Sequence, residues 1–153
     1  MTDIEEMVES FHHKHGFAVG APLESESESA DVAIKVCEVS LEGLELQLLR
    51  HPDFGSDRRL QRAHLMIEEL GELLRGMRLC DPVMTCDGIA DLAYVTAGTG
   101  VTFGLPVDAA IEEVHRSNMT KDGYRQHKPS KGANFRPPDI ARVIEEHRKR
   151  VAT

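Results

Sequence analysis

Five acidic residues are spaced so that they could bind a divalent metal ion together. Glu68, Glu69 and Glu72 have helical spacing, in which residues three or four positions apart share a face. Asp87 and Asp91 are four positions apart in a stretch of apolar and small residues, where solvated acids are unusual. Because such neighbours repel unless a cation lies between them, the pattern indicates an oxygen-ligand site for Mg²⁺ or Mn²⁺. A carboxylate could then orient a metal-activated water or take its proton.

An ordinary solvated helix face is the alternative interpretation of the three glutamates. The position of Asp87 and Asp91 among apolar residues favours the metal site over that alternative.

The two acidic stretches are predicted to lie on neighbouring helices. The first helix begins at Ser56 or Asp57, both good N-caps, and runs to about Met77. The second opens at Asp81-Pro82, with proline in the first turn, and runs to Phe103. Because the connection between them is short, the helices should pack antiparallel with their acidic faces together.

The segments before this pair predict further helices. Asp3 is a candidate N-cap for a first helix, and residues 16–30 have the composition of a loop. Residues 31–50 fit either a β-hairpin or a helix. Gly43 is the only turn signal inside that segment, and this favours the helix.

The segments after the pair complete an all-α chain. A shorter helix is predicted over 106–118 and a final one over 139–150, with a basic loop at 120–138 between them. The sum predicts a single domain over residues 1–153, built as a helical bundle, with 23–56 as an additional helical segment.

Composition and charge exclude several classes of protein. Hydrophobic residues make up 41% of the chain and aromatic residues only 5%, with no tryptophan, which favours packed helices over a β-sandwich. The formal net charge of −8 argues against nucleic acid as a partner. No apolar run approaches about 18 residues, so a membrane span is not expected. The acidic start does not resemble a secretory signal, and we expect a cytoplasmic protein.

Four segments, in this order and at compatible spacings, resemble the motifs of MazG-like all-α nucleoside triphosphate pyrophosphohydrolases. The first two resemble the metal-binding helices, and the last two match the compact, often phage-borne, branch. The segments are Arg62–Glu72, Asp87–Val95, Glu113–Lys121 and Lys131–Asp139. The resemblance covers about residues 57–140, with a looser match over Val8–Pro22.

The resemblance implies Mg²⁺-dependent cleavage between the α and β phosphates, giving a monophosphate and pyrophosphate. It implies two or three Mg²⁺ ions per site, replaceable by Mn²⁺, held by Glu69, Glu72 and Asp91. Glu68 is then a further ligand or the residue that activates water. The family's second motif often has Glu-x-x-Asp, but Gly88 occupies the Glu position here, and Asp87 stands one residue earlier. Asp87 is therefore a candidate ligand, directly or through water.

The resemblance also implies nucleotide contacts and an oligomer. Asn118, Lys121 and Lys131 match positions in loops that reach the nucleotide, and lysine suits phosphates as a mobile point charge. Plain solubility is the alternative role of both lysines. A homodimer or homotetramer is expected, with the active site shared between helices and between subunits.

The substrate is expected to be a (d)NTP, with a lean to (d)GTP because phage-type relatives often accept it. The resemblance also implies a bacterial cytoplasm or that of a phage-infected host. A phosphoribosyl-ATP pyrophosphohydrolase is the alternative enzyme, and a non-catalytic helical interaction module is the alternative outside enzymes. The two motifs Glu113–Lys121 and Lys131–Asp139 favour the (d)NTP enzyme, and the intact acids argue against the interaction module.

Overall fold

The computed structural model describes residues 4–125 and 128–152, which form six α-helices and one short β-hairpin. The all-α fold class predicted from the sequence is confirmed. None of the helices in these ranges is long and apolar enough to cross a membrane. In chain order the elements are α1 (Ile4–His15), α2 (Glu28–Leu49), α3 (Arg58–Arg78), α4 (Pro82–Phe103), α5 (Val107–Asn118), β1 (Gly123–Arg125), β2 (Lys128–Ser130) and α6 (Ile140–Val151).

The described residues group into two compact units. Residues 22–103 form the acidic unit, named here for the five candidate acids, which contains α2, α3 and α4. Residues 4–21 and 104–152 form the terminal unit, which contains α1, α5, α6 and the hairpin. One domain over the whole chain stays a prediction.

The segment with two possible secondary structures is a continuous helix, α2, as favoured from the sequence. Its N-cap is Ser27, whose hydroxyl accepts a hydrogen bond from the Ala30 N–H at 3.2 Å. The helix therefore begins slightly inside the segment predicted to be loop. Its central Glu38 is buried and accepts hydrogen bonds from Arg78 of α3 and from Lys35. The hydrogen bond from Arg78 is the largest cause that lowers the pKa of Glu38, so the pair joins α2 to α3 as ionised groups.

The helices α3 and α4 begin where the sequence predicted and pack closely against each other. Asp57 caps α3, and Asp81 accepts hydrogen bonds from the backbone of the first turn of α4. Two buried glycines allow the close approach of the helix backbones. A Cβ on Gly76 would lie 2.7 Å from the Thr85 nitrogen, and a Cβ on Gly88 would lie 2.7 Å from the Leu73 Cα.

Arg62 fixes the other end of the same helix pair. Its side chain extends from α3 over Gly98 and donates hydrogen bonds to the hydroxyl of Thr99, at 3.1 Å, and to the carbonyl of Val95. The contacts at Gly76, Gly88 and Arg62 together set the antiparallel register of α3 and α4.

Glu113 is the charged centre of the terminal unit. Its side chain is 6% exposed and accepts hydrogen bonds from Arg116 on the same helix and from the backbone N–H of Asp139, at 2.7 Å each. Arg142 of α6 lies 3.3 Å away. The hydrogen bond from Arg116, followed by that from Asp139, lowers the pKa of Glu113 to about 2. This carboxylate therefore ties the start of α6 to α5.

One prediction for the terminal unit is wrong, and another concerns a residue outside the described ranges. The segment 120–138, predicted to be a loop, contains the antiparallel hairpin of β1 and β2, in which Tyr124 pairs with Pro129. The predicted N-cap Asp3 lies outside the described residues, although α1 itself is present.

Candidate active site

The structure places the five candidate acids on the facing pair of helices. Glu68, Glu69 and Glu72 lie on α3, and Asp87 and Asp91 lie on α4. The contact between Gly88 and Leu73 sets the level of one helix against the other. Because antiparallel helices advance in opposite directions from that contact, Glu69 lies at about the level of Asp91.

The electrostatics of Glu69 show that the other four acids act on this carboxylate. The pKa of Glu69 is raised, first by burial and then by the charges of Asp91, Glu72, Glu68 and Asp87, in that order. Asp91, on the opposite helix, contributes more than the acids on the same helix. The antiparallel packing of α3 and α4 therefore brings the acids of the two helices near each other, as expected from the short connection between the helices.

The donor chemistry of this cluster fits a hard divalent cation. All five side chains are carboxylates, and four of them, all except Glu68, form no ion pair with any residue in the described ranges. A cation between them would remove the repulsion that raises the pKa of Glu69. The side chains are nevertheless not closed around a common point, since no three His, Cys, Asp or Glu side chains in the described part of the chain form a metal-binding group. Metal binding by these residues stays a prediction.

A cavity of about 190 Å³ lies beside the acids, between α2 and α3. Glu68 and Glu72 line it from α3, and Glu42 and Glu45 line it from α2. The additional helical segment therefore forms one wall of a polar cavity that contains two of the candidate ligands. Glu42 and Glu45 were not singled out from the sequence, because only the packing of α2 on α3 brings them near the other acids.

His64 is a third residue near the acids that was not singled out from the sequence. It lies one helical turn before Glu68 on α3, and its ring contacts both Glu68 and Glu45. The spacing of His64 and Glu68 was present in the sequence, whereas the contact with Glu45 depends on the packing of two helices.

The three predicted nucleotide-binding residues belong to the terminal unit. Asn118 ends α5, and its carbonyl accepts a hydrogen bond from the Lys121 N–H at 3.1 Å. The ammonium group of Lys121 lies 5.9 Å from the ring centroid of Phe11, and that of Lys131 lies 5.1 Å from the ring centroid of Phe135. Neither lysine forms an ion pair with an acid in the described ranges. Both ammonium groups therefore remain free of a carboxylate partner there, and their role stays a prediction.

Comparison with known proteins gives one match. Residues 49–118 match the family model described as "Phosphoribosyl-ATP pyrophosphohydrolase". This family belongs to the MazG-like all-α pyrophosphohydrolase superfamily. A search of curated proteins and a search of solved structures found no match.

The matched residues include α3, α4 and α5, and therefore all five acids and Asn118. Lys121 and Lys131 lie beyond the matched segment. The part of the chain that carries the acids is thus similar to a pyrophosphohydrolase family of the MazG-like superfamily.

Proposed function

We propose that this protein is a Mg²⁺-dependent pyrophosphohydrolase that cleaves a (d)NTP between its α and β phosphates, releasing a (d)NMP and pyrophosphate. The observation that supports this most strongly is the grouping of five carboxylates on α3 and α4, inside the segment that matches a pyrophosphohydrolase family. Carboxylates without cationic partners do not attract a polyphosphate. Binding such a substrate at this cluster therefore requires cations between the carboxylates and the phosphates.

The proposed roles follow from the chemistry of each side chain. Glu69, Glu72 and Asp91 hold Mg²⁺, with Asp87 as a further ligand, directly or through water. When bound, Mg²⁺ compensates phosphate charge and makes water a better nucleophile. Glu68 orients the attacking water and accepts its proton, as a general base within reach of the cluster. The water attacks the α phosphorus, and pyrophosphate leaves with the oxygen that bridged the α and β phosphates.

The proposed nucleotide contacts come from the terminal unit. Asn118, Lys121 and Lys131 bind the substrate, the lysines through phosphate oxygens. The two ammonium groups contact aromatic rings rather than carboxylates, which leaves their charge available to an anion. We propose (d)GTP as the preferred substrate, on the resemblance to the phage-type branch.

A nucleotide panel tests the proposal. Each (d)NTP and phosphoribosyl-ATP is incubated with Mg²⁺ or Mn²⁺, and released pyrophosphate is measured with a coupled pyrophosphatase. We expect turnover in the wild type that Glu69→Gln abolishes and that Glu24→Gln, at an exposed loop position, leaves unchanged. No turnover of any nucleotide would contradict the proposal and would favour a non-catalytic interaction module.

Phosphoribosyl-ATP hydrolysis is the second candidate, because the matching family carries that description. The segments Glu113–Lys121 and Lys131–Asp139 favour the first candidate, since they resemble the phage-type (d)NTP enzymes. Activity restricted to phosphoribosyl-ATP in the same panel would reverse this order.

We also propose that a second copy of the chain covers the outer face of α4. This face carries Val83, Tyr94 and Val101, which are 78%, 80% and 83% exposed, and the small residues Ala90 and Ala97 continue its seven-residue spacing. Such a stripe is the pattern of a helix that packs against another helix. Light scattering on a size-exclusion column should give a dimer or a dimer of dimers for the wild type and a smaller species for Tyr94→Lys. A monomeric wild type would contradict the proposal.

A further inference from the structure

The imidazole of His64 lies between two carboxylates on two different helices. Its Nε2 is 3.3 Å from Oε1 of Glu45 on α2, and its Nδ1 is 3.8 Å from Oε2 of Glu68 on α3. The ring of Phe54 meets it edge-on, with the ring centroids 5.5 Å apart. The His64 side chain is only 14% exposed, so the ring has little freedom to point elsewhere.

One ring nitrogen of His64 has no hydrogen bond in this arrangement. The Nε2 atom is shielded from solvent and has no hydrogen-bond partner of good geometry in the described part of the chain. A shielded polar atom without a hydrogen bond is costly, and such positions are uncommon unless they serve a purpose. The nearest candidate partner is the Glu45 carboxylate, whose Oε1 lies 3.3 Å from this nitrogen.

The turn before α3 holds the aromatic side of this arrangement. The amide of Gln61 donates hydrogen bonds to the carbonyls of Phe54 and Gly55, at 3.0 and 3.1 Å. These bonds fix the turn that carries Phe54 to the first turns of α3. Phe54 and Glu45 therefore restrain the imidazole from two sides, and its third neighbour is Glu68.

Glu68 is the least restrained of these groups. Its side chain is 41% exposed, and the one basic side chain within 4 Å of its carboxylate in the described ranges is that of His64. A carboxylate that must orient water in a defined direction needs a neighbour that limits its rotamers, because misorientation of a reacting group is costly in rate. His64 is placed to supply that limit, since residues four positions apart on a helix are neighbours.

We propose that His64 is a positioning residue that holds the Glu68 carboxylate in its working orientation, and that Glu45 fixes the imidazole in turn. This inference rests on the proposed function, in which Glu68 acts on the attacking water. It assigns α2 a role in catalysis, because α2 supplies the outer member of the chain Glu45–His64–Glu68. Outer partners of this kind typically change rate or affinity about 10- to 100-fold when they are removed.

Steady-state kinetics on the best nucleotide of the panel, with saturating Mg²⁺, test the proposal. We expect His64→Leu to lower kcat about 10-fold or more, with KM for the nucleotide changed less than about threefold. His64→Gln should recover most of kcat, because its amide N–H can donate to Glu68. Glu45→Gln should give an intermediate loss. The matched control is His13→Gln, which removes an exposed histidine that pairs with Glu9, also four residues away, on α1.

The outcomes separate this inference from the proposed function. A wild type without turnover overturns both. A wild type with turnover and an unchanged kcat in His64→Leu overturns only the positioning role. Equal losses in His64→Leu and His64→Gln that follow a fall in melting temperature also overturn it, because a packing role gives that pattern. If His64→Leu does not fold, the kcat values of His64→Gln and Glu45→Gln decide the question by the same criteria.

Discussion

Replacement of Gly88 by alanine should push α3 and α4 apart. The added Cβ would lie 2.7 Å from the Leu73 Cα, and an ordinary contact begins at 3.4 Å. The helices must therefore separate by about 0.7 Å at this level. Overpacking of this kind lowers the free energy of unfolding by about 1–3 kcal/mol, whereas the better helix propensity of alanine raises it by about 1 kcal/mol.

Gly43→Ala is the matched control for this substitution. Gly43 lies inside α2, and a Cβ there would meet no atom within 4 Å, so only the propensity gain of about 1 kcal/mol is expected. The two variants should therefore differ by about 1–3 kcal/mol in free energy of unfolding. For a chain of this length that difference corresponds to roughly 2–12 °C in melting temperature.

Thermal unfolding followed by circular dichroism measures the difference, and Mn²⁺ titration followed by electron paramagnetic resonance reports on the acids. Because Asp87 and Asp91 move with α4, Gly88→Ala should also weaken Mn²⁺ binding, whereas Gly43→Ala should not. Equal melting temperatures and equal Mn²⁺ binding in the two variants would refute the claim that the glycine contact sets the spacing of the acids.

Three further predictions concern the charged groups of each unit. Burial and neighbouring acids raise the pKa of Glu69, so the folded state binds its proton more tightly than the unfolded state and loses stability as pH rises through that pKa. Glu69→Gln should therefore raise the free energy of unfolding in EDTA near pH 7 by about 0.5 kcal/mol or more, seen as a higher melting temperature, and the gain should shrink at about pH 4; a lower stability at neutral pH would contradict this. The pKa of Glu113 is lowered to about 2, so its stabilising contribution is complete above pH 4.5 and is lost between pH 4.5 and about 2. An acid titration should show this dependence in the wild type and not in Glu113→Gln, and identical curves would count against it. Finally, Arg78→Met should cost about 2–3 kcal/mol in urea unfolding, because it leaves the buried Glu38 with a weaker partner, and Glu38→Met in the same chain should recover much of that loss.

Local signals made most of the helices predictable. Asp57 and Asp81-Pro82 mark the starts of α3 and α4, because helix capping depends on only a few adjacent residues. The α2 segment was harder, since its apolar residues fit two periodicities and only the absence of a turn separated them. The paired strands β1 and β2 were missed because each has only three residues, too few to show an alternation.

The sequence predicted that the acidic faces of α3 and α4 meet, but it did not predict the register at which they meet. Spacing placed the acids on two helices, whereas the closeness of Asp91 to Glu69 depends on the register that Gly88 sets. Gly88 also explains the departure from the Glu-x-x-Asp pattern, because any side chain there would meet the backbone of α3. The contact of Glu45 with His64 joins residues 19 positions apart on different helices, and no local pattern indicates it.

Phosphorus NMR of the reaction mixture, with the preferred nucleotide and Mg²⁺, shows directly whether the acids on α3 and α4 support cleavage of a nucleoside triphosphate between its α and β phosphates. We expect the resonances of a nucleoside monophosphate and pyrophosphate to grow together in equal amounts, and neither to grow with Glu69→Gln. A nucleoside diphosphate with orthophosphate, or equal product formation by Glu69→Gln, would contradict this expectation.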